Sequence, residues 1–277
     1  MIELPEAYVL SDQINQTLVG RTIVNAEANT HPHAFAWYTG DPADYRAKLA
    51  GKKIRGTNPQ GHSCNNVKII CEDMLLVIST PIRYHETDAK LPKSHQLLLE
   101  FEDKSHMSCT VQMWGVMFCY PADESCRHDG FVCSKKPSPY MDIFDEGYFD
   151  DLWQSVKPGL SVKEFLTTKQ RISGLGNGVL QDILWNAGIH PRRKLSTFTE
   201  TEREKLFQSL KQTLFAMRNQ GGRNTERDLF GQPGGYRTIL SSKTMKNPCP
   251  VCNSAIIRES YLGGNIYYCP VCQPVIT

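Results

Sequence analysis

The segments Cys249-Pro250-Val251-Cys252 and Cys269-Pro270-Val271-Cys272 are separated by sixteen residues. A Cys-x-x-Cys segment bends the chain so that two sulfurs face one point, and two such segments supply the four thiolates of a tetrahedral site. Four protein ligands leave no open coordination position. The spacing therefore predicts one structural Zn²⁺ held by Cys249, Cys252, Cys269 and Cys272. Two redox pairs or disulfides are the alternative, and the matched spacing disfavours it.

The residues between the two cysteine pairs have the pattern of a β-hairpin. Isoleucine and tyrosine residues lie on both sides of Gly263-Gly264-Asn265. Glycine and asparagine tolerate the positive φ angles of tight turns. We therefore predict a zinc-finger hairpin with this tripeptide at its tip.

Composition limits the class of protein. The chain has 277 residues, 40% of them hydrophobic, which is enough for one large or two medium domains with proper cores. It has no run of eighteen apolar residues and no signal-peptide pattern, so we expect an intracellular protein with no membrane partner. The six other cysteines show no framework spacing, and we expect reduced thiols.

Charge is distributed unevenly along the chain. Residues 151–277 carry 17 Lys and Arg against 9 Asp and Glu, whereas residues 1–150 carry 14 against 20. A basic half that ends in a zinc hairpin favours a polyanionic partner, most simply nucleic acid.

The order of patterns predicts an α+β protein with five segments. Residues 1–120 read as an N-terminal helix and β-sandwich, 121–144 as a linker, 145–222 as a helical domain, 223–247 as a polar connector that is either functional or mobile, and 248–277 as the zinc finger. The predicted strands are 21–26, 52–56, 66–71, 74–79, 96–102, 107–112 and 114–120. The predicted helices are 6–18, 148–156, 161–170, 177–187 and 199–218.

A glycine-rich turn, Gly174-Leu175-Gly176-Asn177-Gly178, separates two predicted helices. Backbone N–H groups at such a helix start suit a phosphate, and Asn177 suits the N-cap. Lys163 and Arg171 add positive charge on the preceding helix and just before the turn. A helix–turn–helix corner whose glycines only permit tight packing is an equally good reading of this spacing.

Four motifs in this order resemble the formamidopyrimidine-DNA glycosylase/endonuclease VIII family of base-excision repair enzymes. They are the start Ile2-Glu3-Leu4-Pro5-Glu6, the stretch from Lys163 through Gly174–Asn177 to Pro191, the stretch Arg223–Gly234, and the hairpin Cys249–Gln273. The resemblance implies a β-sandwich followed by a helix–two-turn–helix domain with the zinc finger, and DNA bound in the cleft between the two domains. It also implies a loop over the flipped base within 223–247. The implied partner is double-stranded DNA with a damaged base or an abasic site, bound by a cytoplasmic, nucleoid-associated monomer.

The resemblance further implies a catalytic amine at the N-terminus and a neighbouring glutamate that moves protons. The family has proline where this chain has Ile2, so the candidate nucleophile is the amine of Met1 or Ile2. Glu3 matches the glutamate and Glu6 supports this corner. First-turn helix acids favoured by the dipole are the alternative reading of both glutamates.

The resemblance places the remaining DNA contacts on other segments. Lys163 and Asn177 match residues that grip phosphate, His62 lies nearest a phosphate-binding lysine position, and Gly264 occupies an arginine position at the finger tip. Met113 and Trp114 align with residues that fill the gap left by a flipped nucleotide. A core strand that ends in Trp114 is the alternative.

These motifs lead to three hypotheses. The first is a DNA glycosylase, with or without abasic-site lyase activity. The second is a DNA-binding module that kept the scaffold but lost the amine chemistry and senses damaged or distorted DNA. The third is an RNA-binding zinc protein, which the match over both domains disfavours.

Overall fold

A computed structural model describes residues 2–57, 66–123 and 136–276 and groups them into two units. The first unit contains the described residues of Met1–Lys135 together with Glu226–Gly234, and the second contains Lys136–Thr225 and Gly235–Thr277. Residues 124–135 of the predicted linker lie outside the described residues. No described helix has the length and apolarity needed to cross a bilayer.

The first unit is a helix packed on two β-sheets that share one hydrophobic core. Its elements are helix α1 (Leu4–Thr17), strands β1 (Ile23–Ala28) and β2 (Ala36–Trp37), helix α2 (Tyr45–Leu49), and strands β3 (Ile54–Thr57), β4 (Val67–Cys71), β5 (Met74–Ile78), β6 (Ile82–His85), β7 (Leu97–Phe101), β8 (His106–Cys109) and β9 (Gly115–Pro121). Among the described residues, one sheet has four strands in the order β1-β7-β8-β6, and the other has five in the order β2-β9-β5-β4-β3.

The alternation of residues along the strands explains this core. In β7, Leu97, Leu99 and Phe101 are buried while Leu98 and Glu100 are half-buried, as expected when every second side chain faces the opposite sheet. Cys71, Cys109 and Cys119 are buried free thiols, and burial raises the pKa of Cys109 to about 12. The predicted β-sandwich is therefore confirmed. Cys64, Cys126 and Cys133 lie outside the described residues, and the reduced state of the six thiols stays a prediction.

The second unit contains four helices and a β-hairpin. They are α3 (Glu146–Gln154), α4 (Val162–Thr167), α5 (Asn177–Ala187) and α6 (Glu200–Asn219), followed by β10 (Ile257–Tyr261) and β11 (Gly264–Tyr268). Two helices begin at a serine or threonine followed three residues later by a glutamate, the capping-box pattern: Ser161 with Glu164 and Thr199 with Glu202. Ser161 and Thr199 are the N-caps of α4 and α6, and each accepts a hydrogen bond from the N–H group three residues on. The predicted α+β class is confirmed.

Among the described residues, two strands and one α-helix were not predicted from sequence patterns. These are β2, β6 and α2, which have two, four and five residues. Elements this short give too few repeats for periodicity to register. Their partners lie far along the chain, since Ile82 in β6 pairs with Cys109 in β8.

Gly115 at the start of β9 lies where the sheet leaves no room for a side chain. A Cβ added there would clash with Cγ2 of Thr80. We therefore expect Gly115→Ala to lower the free energy of unfolding by about 1–3 kcal/mol, the usual cost of overpacking. Urea denaturation would measure the change.

Two further variants isolate the cause of this change. Thr80→Ser removes the clashing methyl group and should recover most of the loss in the double variant. Gly159→Ala is the matched control, because an added Cβ there meets nothing within 4 Å. A Gly115→Ala protein as stable as wild type would contradict the steric explanation.

Candidate nucleic-acid interface

The four cysteines of the hairpin converge in the second unit. Their sulfur atoms all lie within 4.8 Å of one another. The Sγ atoms of Cys249 and Cys272 are 3.7 Å apart, and those of Cys252 and Cys269 are 3.3 Å apart. Zinc–sulfur bonds of about 2.3 Å in a tetrahedron would separate the sulfurs by about 3.8 Å, whereas a disulfide needs about 2.05 Å. The donor set therefore fits one bound metal ion and not two disulfides.

The hairpin that carries these ligands closes through a two-residue turn. Tyr261 pairs with Gly264, and the central residues Leu262 and Gly263 have φ angles of 49° and 72°. Both are positive, as type I′ turns require. The predicted tip, Gly263-Gly264-Asn265, is therefore shifted by one residue, and Gly264 is the first residue of β11.

Helix α5 holds the hairpin through one buried glutamine. The Tyr267 N–H donates to Oε1 of Gln181 at 3.0 Å, and Nε2 of Gln181 donates to the Asn265 carbonyl at 3.2 Å. Gln181 is 2% exposed. A buried backbone group without a partner costs free energy, so this side chain fixes the position of β11 on the helix.

Asn177 lies beside this contact, at the first turn of α5. Its Nδ2 donates to the Asn265 carbonyl at 2.9 Å. The N-cap is Gly176 and the helix begins at Asn177, so the N-cap expected from sequence is one residue too late. A Cβ added to Gly264 would lie 3.6 Å from the Asn177 side chain. This is an ordinary van der Waals distance, so Gly264 lies directly beside Asn177.

Lys163 on α4 contacts the other strand of the hairpin. Its Nζ donates to the Tyr261 carbonyl at 2.6 Å, and the side chain is buried. Burial, and then the charge of Arg192, lower the pKa of Lys163. Arg192 lies 4.2 Å from the centroid of the Tyr261 ring and forms an ion pair with Glu259. Two cations therefore converge on Tyr261.

Arg171 closes the end of α4. Its Nη1 donates to the carbonyls of Glu164 at 2.9 Å and Thr168 at 3.2 Å. The last carbonyls of a helix lack partners within the helix, and an arginine is a common way to satisfy them. In this structure Arg171 therefore acts as a helix cap.

The N-terminal corner belongs to the first unit. Glu3 and Glu6 form a capping box at the start of α1, in which the Glu3 N–H donates to Glu6 at 3.3 Å. Ile2 is 4% exposed and belongs to the core. Met1 and His62, both predicted site residues, lie outside the described residues.

Met113 and Trp114 lie on the turn that precedes β9. Met113 is 69% exposed and Trp114 is half-buried, with its ring centroid 5.9 Å from that of Trp37. Trp114 is not a member of the hydrophobic core cluster. The reading as a core strand that ends in Trp114 is therefore disfavoured.

Within the first unit, one part of the connector is held by α1 and β6. Nε2 of Gln13 donates to Asp228 at 2.9 Å, and the Leu229 N–H donates to Oε1 of Gln13 at 2.9 Å. Nη1 of Arg83 donates to the Asp228 carbonyl at 2.6 Å. Leu229 is fully buried in the core, whereas Phe230 is 48% exposed. Residues 226–234 are thus fixed by polar contacts around one apolar anchor.

In the second unit, Asp182 holds the following part of the connector. Its carboxylate accepts from the N–H groups of Ile239 at 2.9 Å and Leu240 at 2.8 Å. Burial raises the pKa of Asp182, and it also raises the pKa of the neighbouring Tyr236. Sequence reasoning missed Asp182 and Gln181. The available signal is that both are polar residues within the apolar pattern of α5.

The fold and the hairpin define a β-sandwich protein with a helical unit and a four-cysteine metal site. No protein-family model matches the chain. The formamidopyrimidine-DNA glycosylase of Enterococcus faecalis is 24% identical over 279 residues, covering 99% of this chain and 97% of that protein. The corresponding protein of Legionella pneumophila is 27% identical over 292 residues, with complete coverage of both chains.

Solved structures agree with these sequence matches. The Lactococcus lactis enzyme in complex with DNA that contains an abasic site has a TM-score of 0.82 and 24% identity, covering 99% of this chain and 100% of that one. Its complex with Fapy-dG DNA has a TM-score of 0.81. The chain is therefore similar over nearly its whole length to bacterial formamidopyrimidine-DNA glycosylases and shares the fold of the solved ones.

Replacing Gln181 by alanine tests the contact between α5 and the hairpin. The Tyr267 N–H would lose its partner in a buried position, so we expect the free energy of unfolding to fall by about 1–3 kcal/mol and the Tyr267 amide to exchange faster with solvent. Denaturation and amide hydrogen exchange measure the two effects. The matched control is Gln208→Ala, since Gln208 is exposed and its side-chain amide donates to Glu146 at 2.7 Å. Equal losses in both variants would contradict the role of Gln181.

Proposed function

We propose that this protein is a DNA glycosylase of base-excision repair that removes damaged bases from double-stranded DNA. The observation that carries the proposal is the match of the whole chain to formamidopyrimidine-DNA glycosylases, across both units and the four-cysteine hairpin. Relatives with this fold bind DNA that contains an abasic site or Fapy-dG. Enzymes of this kind take the target base out of the stack before they act on it.

The metal of the hairpin is, in this proposal, one structural zinc ion. Four cysteine ligands with sulfur separations near those of a tetrahedron support zinc, and they leave no position for water or substrate. The ion would then hold the hairpin against α5 and take no part in the reaction.

The proposed nucleophile is the α-amine of the first residue of the mature chain, Met1 or Ile2. A free α-amine titrates near pH 8 and is partly neutral at physiological pH. Its nitrogen bonds to C1′ of the damaged nucleotide while the bond from C1′ to the base breaks, and the base leaves with a proton. Opening of the sugar gives an imine, and loss of a C2′ proton then expels the 3′ phosphate.

Glu3 is the proposed proton carrier for these steps. Its place at the N-terminus of α1, one residue from Ile2 and 7% exposed, supports this role. Glu6 is proposed to hold Glu3 in position, because their capping box fixes the backbone of both residues.

The proposed DNA contacts include residues on both units. Asn177, Lys163, Arg171 and Gly264 surround the start of α5 and the hairpin, and we assign them to the grip on the backbone of DNA. His62 is assigned to a phosphate beside the lesion. Exposed Met113 and the adjacent Trp114 are assigned to the gap left by the flipped nucleotide.

The alternative is a DNA-binding module that senses damage without removing bases. The observation that favours it is the N-terminal corner, where Ile2 is buried in the core and Glu3 and Glu6 are engaged with each other. If the amine belongs to Met1 rather than to residue 2, it lies one residue further along the chain, a displacement of about 3.8 Å. Catalytic groups tolerate displacements of only about 0.5 Å.

Borohydride trapping separates the two functions. We expect the protein to release the base from Fapy-dG duplex DNA and to form a reducible adduct with abasic-site DNA at its first residue, identified by intact-mass analysis. Glu3→Gln keeps a side-chain acceptor for the helix cap but should slow base release by about 10²–10⁴-fold. The decrease in the rate of base release should be smaller in Glu6→Gln than in Glu3→Gln.

The possible outcomes distinguish three cases. An adduct on Met1 or Ile2 excludes the pure binding module. Base release without an adduct would leave a glycosylase that acts by hydrolysis alone. Binding of damaged DNA with neither product would contradict the enzyme and support the sensor.

Asn177→Ala tests the grip on DNA. We expect this variant to bind duplex DNA several-fold more weakly. In Lys163→Met, we expect the slope of log affinity against log salt concentration to fall by about one, the change that corresponds to one lost phosphate contact. Zinc content, measured by elemental mass spectrometry, should remain one ion per chain in the Asn177 variant. Unchanged affinity in both variants would contradict the phosphate assignment.

A further inference from the structure

A row of aromatic side chains in the first unit is exposed at two positions, Phe35 and Trp37, and half-buried at the other two, His33 and Trp114. We call His33, Phe35, Trp37 and Trp114 the aromatic row. Neighbouring ring centroids are 6.2, 6.4 and 5.9 Å apart in that order. Phe35 is 55% exposed and Trp37 is 44% exposed. A contiguous exposed patch of large apolar side chains is uncommon on a soluble protein and marks an interaction surface.

Trp37 faces outward from β2 because successive side chains of a strand take opposite faces, and Ala36 packs against the core. Phe35, in the turn before β2, is also exposed, whereas Tyr38 after the strand packs against the core. Strand β2 is an edge strand that pairs only with β9 among the described strands. Removing the outer rings would therefore leave the core contacts of Ala36 and Tyr38 in place.

The segments that carry the row are fixed by one buried glutamine. Oε1 of Gln96 accepts from the Val111 N–H at 2.7 Å, and its Nε2 donates to the His31 carbonyl at 2.8 Å. The Gly115 N–H also donates to the Phe35 carbonyl at 2.9 Å. These hydrogen bonds fix the backbone that carries the rings, which lowers the entropy cost of binding a partner.

The two segments that carry the row are uncharged. Residues 29–40 and 110–120 contain no aspartate, glutamate, lysine or arginine, although the N-terminal half of the chain is acidic overall, so these segments do not repel a polyanion. The rings of Phe35 and Trp37 are tilted at 55° to one another, so neither ring is stacked face to face on the other. Open aromatic faces stack on nucleobases of any sequence.

We propose that the aromatic row binds unpaired nucleobases of single-stranded DNA beside the lesion. The proposal rests on the proposed function for the identity of the polymer and adds Phe35 and Trp37 as base-stacking residues. The row continues from Trp114, which is assigned to the gap in the duplex, so a strand whose bases have lost their partners could continue onto Trp37 and Phe35. The surface would then give the protein a preference for gapped or single-stranded DNA.

Matched variants separate stacking from general apolar contact. Phe35→Leu/Trp37→Leu keeps apolar side chains but removes both π faces, whereas Phe35→Tyr/Trp37→Phe keeps a ring at each position. The probe is a labelled, undamaged single-stranded oligonucleotide, compared by fluorescence anisotropy with an oligomer of equal length made of abasic residues. Val19→Ala, at another exposed apolar position of the first unit, is the control.

We expect the leucine pair to bind the base-bearing oligonucleotide at least about tenfold more weakly and the ring-retaining pair to stay within about threefold of wild type. The abasic oligomer should bind all variants equally. Wild-type affinity in the leucine pair, or equal wild-type affinity for the two oligomers, would overturn the proposal. Because the probe is undamaged, this result is independent of base release, so failure of the glycosylase assay and failure of the aromatic row are distinguishable. Thermal denaturation confirms that each variant is folded.

Discussion

The arrangement of the second unit depends on the carboxamide of Gln181. This one neutral group donates to the Asn265 carbonyl and accepts from the Tyr267 N–H, and it thereby satisfies two backbone groups of β11 against α5. A charged side chain would be far more costly to bury, and an apolar one would leave those atoms without partners. The metal site closes the hairpin on itself, but Gln181 fixes where the hairpin lies on the helix.

Other glutamine side chains in the chain also hydrogen-bond to the backbone or side chains of distant segments. Gln13 joins α1 to residues 228–229, Gln96 joins the segments around His31 and Val111, and Gln273 accepts from the Cys269 N–H while donating to the Ile189 carbonyl. Each glutamine links segments that form no sheet with one another. Side-chain amides, buried in Gln96 and Gln273 and half-buried in Gln13, therefore hold the loops on which the candidate functions depend, whereas strands and helices supply the core.

Positive charge in the basic half has a double role. Lys163 and Arg171 donate to backbone carbonyls, and Arg192 pairs with Glu259 and covers Tyr261. A net charge counted from the sequence therefore overestimates the number of cations free to meet a phosphate. DNA binding by these residues would have to reuse donors that stabilise the protein alone, which couples the grip on DNA to the position of the hairpin.

The sequence by itself determined the sandwich, the helices and the four-cysteine site. The spacing of Cys249 to Cys272 and the apolar period of 177–187 are local patterns that report directly on local geometry. The sequence could not predict the hydrogen-bond partners of Gln181 and Lys163, which lie 86 and 98 residues away. It also could not predict the short strand that contains Trp37. Only the tertiary structure decided these features, because a buried polar group is satisfied by whichever distant segment folding brings beside it.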